Sequence, residues 1–571
     1  MRMMWNALPS DPQTLITWEW KDFEPYYQDL QQRPLNAANV QAWLEDWSAL
    51  DERLMELRSR LHVATAVNTA DEVARQRLEA FFDHLFPRAM AAEQALKQKL
   101  LASGLEPAGF EMPLRNMRAE VALFREENLP LLAEEQKLIQ EYDRILGAQT
   151  VEWEGQERTV QQMRPLLQET DRARREEAWR QVAQRQLADR EALNDLWVKL
   201  FRLRQQIAHN AGFASYREYR WQQLLRFDYT PADCERFREA IAEVVVPLAV
   251  ARYEQRRRQM GLPHLRPWDT EVDALGRPPL KPFNEVEELV AGTARIFARL
   301  DTTLATYFET MRRENLLDLE NRKNKAPGGF CTEFAIQRRP FIFMNAVGIH
   351  DDVSTLVHES GHAFHVFETA PIRLVHLLEI PMEFAEVASM SMEYLTLPYL
   401  EAAQGGFYSA EDADRARLNQ MEGALLFWPY MAVVDGFQHW AYTHPEEAVD
   451  PARCDAAWGA LWERFMAGVD WSGLDDEMKT GWQRKLHIYE VPFYYVEYGL
   501  AQLGALQVWR NAQRDPAEAV AAYRRALALG GSRPLPELYR TAGARLSFEA
   551  GVFREVTAAM HAAMQTWERS A

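Results

Sequence analysis

Cysteine is scarce in this chain: Cys234, Cys331 and Cys454 are the three among 571 residues, far apart and without a C-x-x-C pair. That spacing supports neither a disulfide framework nor a thiolate zinc site, and it fits a reducing compartment. Long apolar runs are missing too. No stretch of about 18 apolar residues occurs, and the N-terminal MRMMWNALPSDPQ lacks the roughly 7–15-residue apolar segment of a signal peptide. The expected setting is therefore cytoplasmic and soluble. Positive charge is in deficit, with 65 Lys plus Arg against 84 Asp plus Glu and a formal net charge of -19. Such a surface repels nucleic acid and anionic membrane, so neither is expected as a partner. The basic runs Arg256-Arg257-Arg258 and Arg312 to Lys325 have acidic residues nearby, as solvated helix faces do. Repeats at solenoid periods and low-complexity tracts are also absent.

What is present is an ordinary globular balance, 47% hydrophobic and 26% charged residues. Apolar residues at helical spacing, such as Trp43, Trp47, Leu50 and Leu54, predict several helices between Trp18 and Ser103. Similar patterns fill Ala119 to Leu146, Thr170 to Asn210, and Thr230 to Met260, the last opened by Thr230-Pro231-Ala232-Asp233. Thr150 to Val160 reads as a hairpin turning at Glu154-Gly155-Gln156. Pro263 to Pro282 carries five prolines but keeps Leu and Trp, which predicts an ordered loop packed over the core. Lys325 to Asn345 changes texture, with two β-like runs after Gly328-Gly329, and predicts a small sheet. An exposed strand there would hold an extended peptide, and Gly328 and Gly329 would let a substrate backbone approach closely.

Immediately after that sheet, Thr355 to His365 reads TLVHESGHAFH, in which His358, Glu359 and His362 form H-E-x-x-H. Positions four apart return to one face of a helix, so the two imidazoles can hold a single ion, with Glu359 beside it. Zinc suits neutral imidazole nitrogens and activates water, and an adjacent carboxylate can take the proton, which is the chemistry of amide hydrolysis. Asp351 or Asp352 is placed to cap this helix, and Gly361 leaves room for another backbone.

Two histidines leave zinc one protein ligand short. The metzincin pattern requires glycine at 365 and histidine at 368, where this chain has His365 and Glu368. Pro381 to Leu395, PMEFAEVASMSMEYL, offers Glu383, Glu386 and Glu393 close to one helical face, with small residues Ala385, Ala388, Ser389 and Ser391 where a second helix can pack. Further on, HIYEVPFYYVEYG from His487 to Gly499 concentrates one histidine and four tyrosines, groups able to donate hydrogen bonds to an oxyanion.

HESGHAFH, EFAEVASMSMEYL and HIYEVPFYYVEYG, together with PFIFMN and the PWD ending at Asp269, resemble the thimet oligopeptidase and oligoendopeptidase F group of zinc metallopeptidases, especially the shorter bacterial branch with the Pz-peptidases. The resemblance implies a mainly α-helical, two-lobed enzyme, with a small β-sheet next to the H-E-x-x-H helix and a deep substrate channel. It implies one zinc held by His358, His362 and Glu386, Glu359 as general base, and His487, Tyr495 and Tyr498 at the transition state. The histidine-to-tyrosine gap differs from the thimet branch, which leaves Tyr489 and Tyr494 as substitutes. Glu383 and Glu393 are then supporting residues, and His365 a packing one. The implied substrates are short oligopeptides. The expected division is an N-terminal helical region, residues 1–170, and a catalytic region, residues 171–571. Two other readings stay open at this point: a zinc carboxypeptidase on a similar scaffold, and a catalytically inert peptide-binding protein.

Overall fold

The computed structural model describes residue 5 and residues 8–569. Among the described residues helices dominate, with one two-stranded and one three-stranded sheet. The labelled helices are α1 (Val40–Val67), α2 (Arg190–Asn210), α3 (His350–Thr369), α4 (Met382–Leu395), α5 (Ala410–Thr443), α6 (Tyr495–Ala512) and α7 (Pro516–Leu527). The hairpin expected near residue 150 is β1 (Thr150–Trp153) against β2 (Gln156–Thr159), antiparallel. Its turn needs two residues with positive φ, Glu154 at 53° and Gly155 at 75°.

The sheet before the H-E-x-x-H helix has one strand more than the sequence pattern shows: β3 (Leu317–Glu320), β4 (Phe330–Phe334) and β5 (Arg339–Ala346), in the order β3-β5-β4. The central β5 pairs parallel to β3 and antiparallel to β4. Phe341 to Met344 are all buried, as a central strand covered on both faces requires. Strand β4 lies at the edge. Helix α1 reaches it through Ser59, whose hydroxyl accepts from Thr332 at 3.2 Å, and reaches the turn after it through Glu56, which accepts the Ile336 N–H at 3.0 Å.

Among the described residues the apolar interior gathers into a large cluster that includes α2 to α7 and the three-stranded sheet, a smaller one built from N-terminal helices up to Met117 together with Leu374, and a third under the hairpin around Trp153. The proline-rich loop is ordered, as its composition predicts. Trp268 and Asp269 are buried, and Asp269 accepts from Arg172 at 2.9 Å and Arg175 at 3.1 Å. Thr230 caps the helix that begins at Pro231, in a reciprocal pair with Asp233. Among the described residues no helix is long and apolar enough to cross a membrane.

Candidate active site

Helix α3 starts where Asp352 reaches back into the preceding turn: its Oδ2 accepts the N–H groups of Val347, Gly348 and Ile349 at 2.8, 2.8 and 3.0 Å. Three otherwise unpaired donors are satisfied by one buried carboxylate. Val353, Leu356, Val357 and Phe364 then bury one side of the helix, leaving His358 and His362 half-buried on another.

Helix α4 crosses α3 at Gly361. A Cβ there would stand 2.5 Å from the Ala388 carbonyl oxygen and 2.6 Å from Ser389 Cα, so only glycine permits this approach. The small residues of α4 make the same contact from the other side. Closeness here places Glu386: its Oε2 lies 3.5 Å from His358 Nε2 and 3.9 Å from His362 Nε2. Tetrahedral ligands at about 2.0–2.1 Å from an ion stand roughly 3.3 Å apart, so the three atoms converge as a metal-binding set would. Two imidazoles and a carboxylate are a donor set that suits zinc.

The surrounding polar groups orient these donors. Glu393, two turns further along α4, meets His358 Nδ1 at 2.6 Å, which keeps a proton on Nδ1 and turns Nε2 towards Glu386. Gln420 of α5 donates to the other Glu393 oxygen, and Ser389 Oγ donates to Glu386 Oε2 at 2.9 Å. Burial opposes protonation of His358, but Glu393 and the neighbouring carboxylates outweigh it and lift the metal-free ring to about 9. His362 is held well below its ordinary value by burial and by His358. Glu359 rises to about 7 through burial, against the pull of His358, and it accepts the Cys331 N–H of β4. A cleft of about 460 Å³ opens beside these groups, lined by His350, Ser354, Glu359, Asn419 and Gln420 among others.

His487 and the tyrosines gather into one aromatic group. The His487 ring centre lies 4.7 Å from Tyr495, 5.8 Å from Tyr498 and 6.0 Å from Tyr494. Burial and Lys485 hold the imidazole down to about 3, so it is neutral at physiological pH. The three phenols have different surroundings. Burial raises Tyr498 to about 12 and Tyr494 further, and the Glu386 carboxylate adds to both shifts. Tyr495 is buried against Phe427, Tyr430 and the Lys485 ammonium, which stands 3.9 Å from its ring centre. Tyr489 is core: it stacks on Tyr142 and Trp482, and its hydroxyl bonds the Leu193 carbonyl. Gly328 and Gly329 are exposed just ahead of β4, with Gly328 at φ 92°. His365 is buried against Phe384, outside the converging set.

A second group, Cys234, Asp435 and His439, is fully internal. Arg238 already pairs with Asp435, supplying the positive charge that a cation would bring, so this is a buried ionic network. Sequence spacing could not have shown the Arg238–Asp435 pair or the role of Gln420, because those partners lie on other helices, whereas Ser389 and Glu386 stand one turn apart on α4.

A mainly helical chain that sets an H-E-x-x-H helix against a glutamate-bearing helix has the architecture of a metallopeptidase. The model of peptidase family M3 matches residues 165–557, and the chain belongs to that family. It is thus a metallopeptidase of the oligopeptidase kind. Among solved structures, Pz peptidase A with a bound inhibitor shares 28% identity over 96% of this chain and 98% of its own, with a TM-score of 0.86. A protein assigned as an oligoendopeptidase F gives 28%, 96%, 97% and 0.86 on the same measures. Another so assigned, from Bacillus anthracis strain Ames, shares the fold at 24% identity, 96% and 97% coverage and a TM-score of 0.82. Comparison with curated protein sequences gives no match.

Proposed function

We propose that this enzyme is a zinc-dependent endopeptidase that hydrolyses internal bonds of short oligopeptides, with His358, His362 and Glu386 as the residues that would hold the metal. The observation that carries this is the convergence of two Nε2 atoms and one carboxylate oxygen, with Glu359 beside them. A bound zinc supplies Lewis acidity, polarising water and the scissile carbonyl. The chain's own residues do the rest. Glu359, near neutrality by burial, takes a proton from the attacking water and returns it to the leaving amine. Tyr498, with Tyr494 or His487, donates to the oxyanion, while Tyr495 backs the cluster from its pocket beside Lys485. Exposed Gly328 and Gly329 give an extended peptide backbone room beside edge strand β4.

A carboxypeptidase would need a cation to hold the substrate's free carboxylate, whereas the likeness to the Pz peptidase and oligoendopeptidase F structures supports cleavage of internal bonds. Unpaired cysteines and a net charge of -19 suit a cytoplasmic enzyme whose partners are peptides rather than nucleic acid or membrane. The test is an internally quenched peptide with an amidated C-terminus, assayed before and after chelation and after zinc is restored. Internal cleavage lost on chelation and regained with zinc is expected. Cleavage confined to peptides with a free C-terminal carboxylate would overturn the endopeptidase reading.

A further inference from the structure

Arg226 lies in the turn between the helix Tyr216–Gln223 and the helix that starts at Pro231, far in sequence from the site, yet it is 6% exposed and reaches the scaffold behind it. Its Nη2 donates to the Phe493 carbonyl and to Glu497 Oε1, both at 2.5 Å. Its Nε lies 3.7 Å from Glu383 Oε1, the oxygen that also accepts the Tyr229 hydroxyl at 2.5 Å. The guanidinium rests over the Trp221 ring at 4.7 Å, which excludes water from one face.

The partners share a pattern. Phe493 directly precedes Tyr494, Glu497 directly precedes Tyr498, and Glu383 stands one helical turn ahead of Glu386. One planar guanidinium therefore ties the start of α6 to the start of α4. The Phe493 backbone needs such holding. It sits at φ 67°, a left-handed conformation that a bulky residue rarely adopts, and its N–H is bonded from the other side by Gln438 Oε1 at 2.5 Å. Both polar groups of Phe493 are thus fixed, by Gln438 of α5 on one side and Arg226 on the other, and the next residue is the first tyrosine of the pair facing Glu386.

We propose that Arg226 is a positioning residue for the peptidase reaction, clamping the Phe493 turn and Glu497 against Glu383 and so setting where Tyr494 and Tyr498 stand relative to Glu386. It rests on the reading that those phenols hold the oxyanion. Both hydrogen bonds leave from Nη2, to the Phe493 carbonyl and Glu497, while Nε stands in ionic contact with Glu383; a lysine ammonium, a point charge on a flexible stem, would not hold both ends of that span. The clamp acts on the transition state and leaves the metal set intact, since none of its bonds involves His358, His362 or Glu386.

The test is a double-mutant cycle on Arg226→Lys and Tyr498→Phe, with kcat, KM, metal content and thermal midpoint measured for each protein. For R226K the expected result is a fall in kcat of about 10–100-fold, the scale of a misplaced catalytic group, with KM and metal content as in wild type. In the Y498F background R226K should cost less than in wild type, the remainder acting through Tyr494. Gln438→Leu, which releases the Phe493 N–H at similar volume, gives the same pattern and serves if R226K fails to fold. Wild-type kcat in the folded variants, losses that multiply with Y498F, or losses that track missing metal would overturn the clamp. Wild-type kcat in both Y498F and Tyr494→Phe would instead sink the oxyanion reading beneath it.

Discussion

Gly361→Ala adds a single methyl group, and the structure gives its consequence in both stability and metal binding. The new Cβ would lie 2.5 Å from the Ala388 oxygen and 2.6 Å from Ser389 Cα, about 1 Å inside ordinary contact. Both are backbone atoms, so no side chain can swing away. Helix α4 must withdraw by about that distance, carrying Glu386 from its present 3.5 Å towards roughly 4.5 Å from His358 Nε2. Overpacking of this kind costs about 3 kcal/mol or somewhat less, and replacing a helical glycine by alanine returns up to about 1 kcal/mol, for a net loss near 2 kcal/mol. Melting is a blunt readout of that loss. At about 2.1 cal/mol/K per residue over 571 residues, 2 kcal/mol moves the midpoint by only about 2 °C. Metal affinity by chelator competition is sharper, and a fall of at least about tenfold is expected, equivalent to about 1.4 kcal/mol. Gly423→Ala is the control: the same change on exposed α5 surface, with no atom within 4 Å of the added Cβ. It should stabilise by about 0.5–1 kcal/mol and leave metal affinity unchanged. Wild-type metal affinity in G361A would refute the argument that helix approach places Glu386.

Glu393→Gln removes the carboxylate on His358 Nδ1, and metal affinity should drop by about 10–100-fold while the fold is retained; unchanged affinity in the same titration would show that the ring needs no such partner. Metal binding should also strengthen with pH. In the metal-free protein His358 titrates near 9, raised from 6.5, so its protonated form stabilises the fold fully below pH 6.5 and that contribution fades as pH rises to 9. The metal requires the neutral ring, so affinity rises across the same window, and a flat profile between pH 7 and 9 would contradict the pairing. Asp352→Ala leaves three N–H groups without their carboxylate and should cost about 3 kcal/mol of stability in urea unfolding; a loss under about 0.5 kcal/mol would mean that water replaces the cap.

The sequence and the structure agree best where function depends on spacing along one element. His358, Glu359 and His362 share a helix, so their geometry follows from their numbers, and Gly361 announces the close approach that α4 makes. The third carboxylate was another matter. Glu383, Glu386 and Glu393 fall on one face of α4, and nothing in their spacing ranks them; resemblance alone pointed to Glu386. Their partners separate them, and those partners are distant in sequence: Arg226 and Tyr229 for Glu383, the two histidines for Glu386, Gln420 and His358 for Glu393. The tyrosines show the same limit more finely. Tyr494 and Tyr495 are neighbours, and which phenol faces Glu386 is decided by the left-handed Phe493 and the onset of α6, a backbone event that periodicity cannot express. The sheet gained β3 for a related reason, since a parallel partner contributes no turn signal next to the strand it pairs with.

The central claim is that a metal-binding set and the Glu359 carboxylate together form a peptidase site. Glu359→Gln tests it most directly, because glutamine keeps the shape and cannot accept the proton. Cleavage of the amidated, internally quenched peptide should fall by at least about 100-fold, the lower end of general-base contributions, while bound zinc stays at one per chain. A variant that retains zinc and cleaves at the wild-type rate would contradict the account.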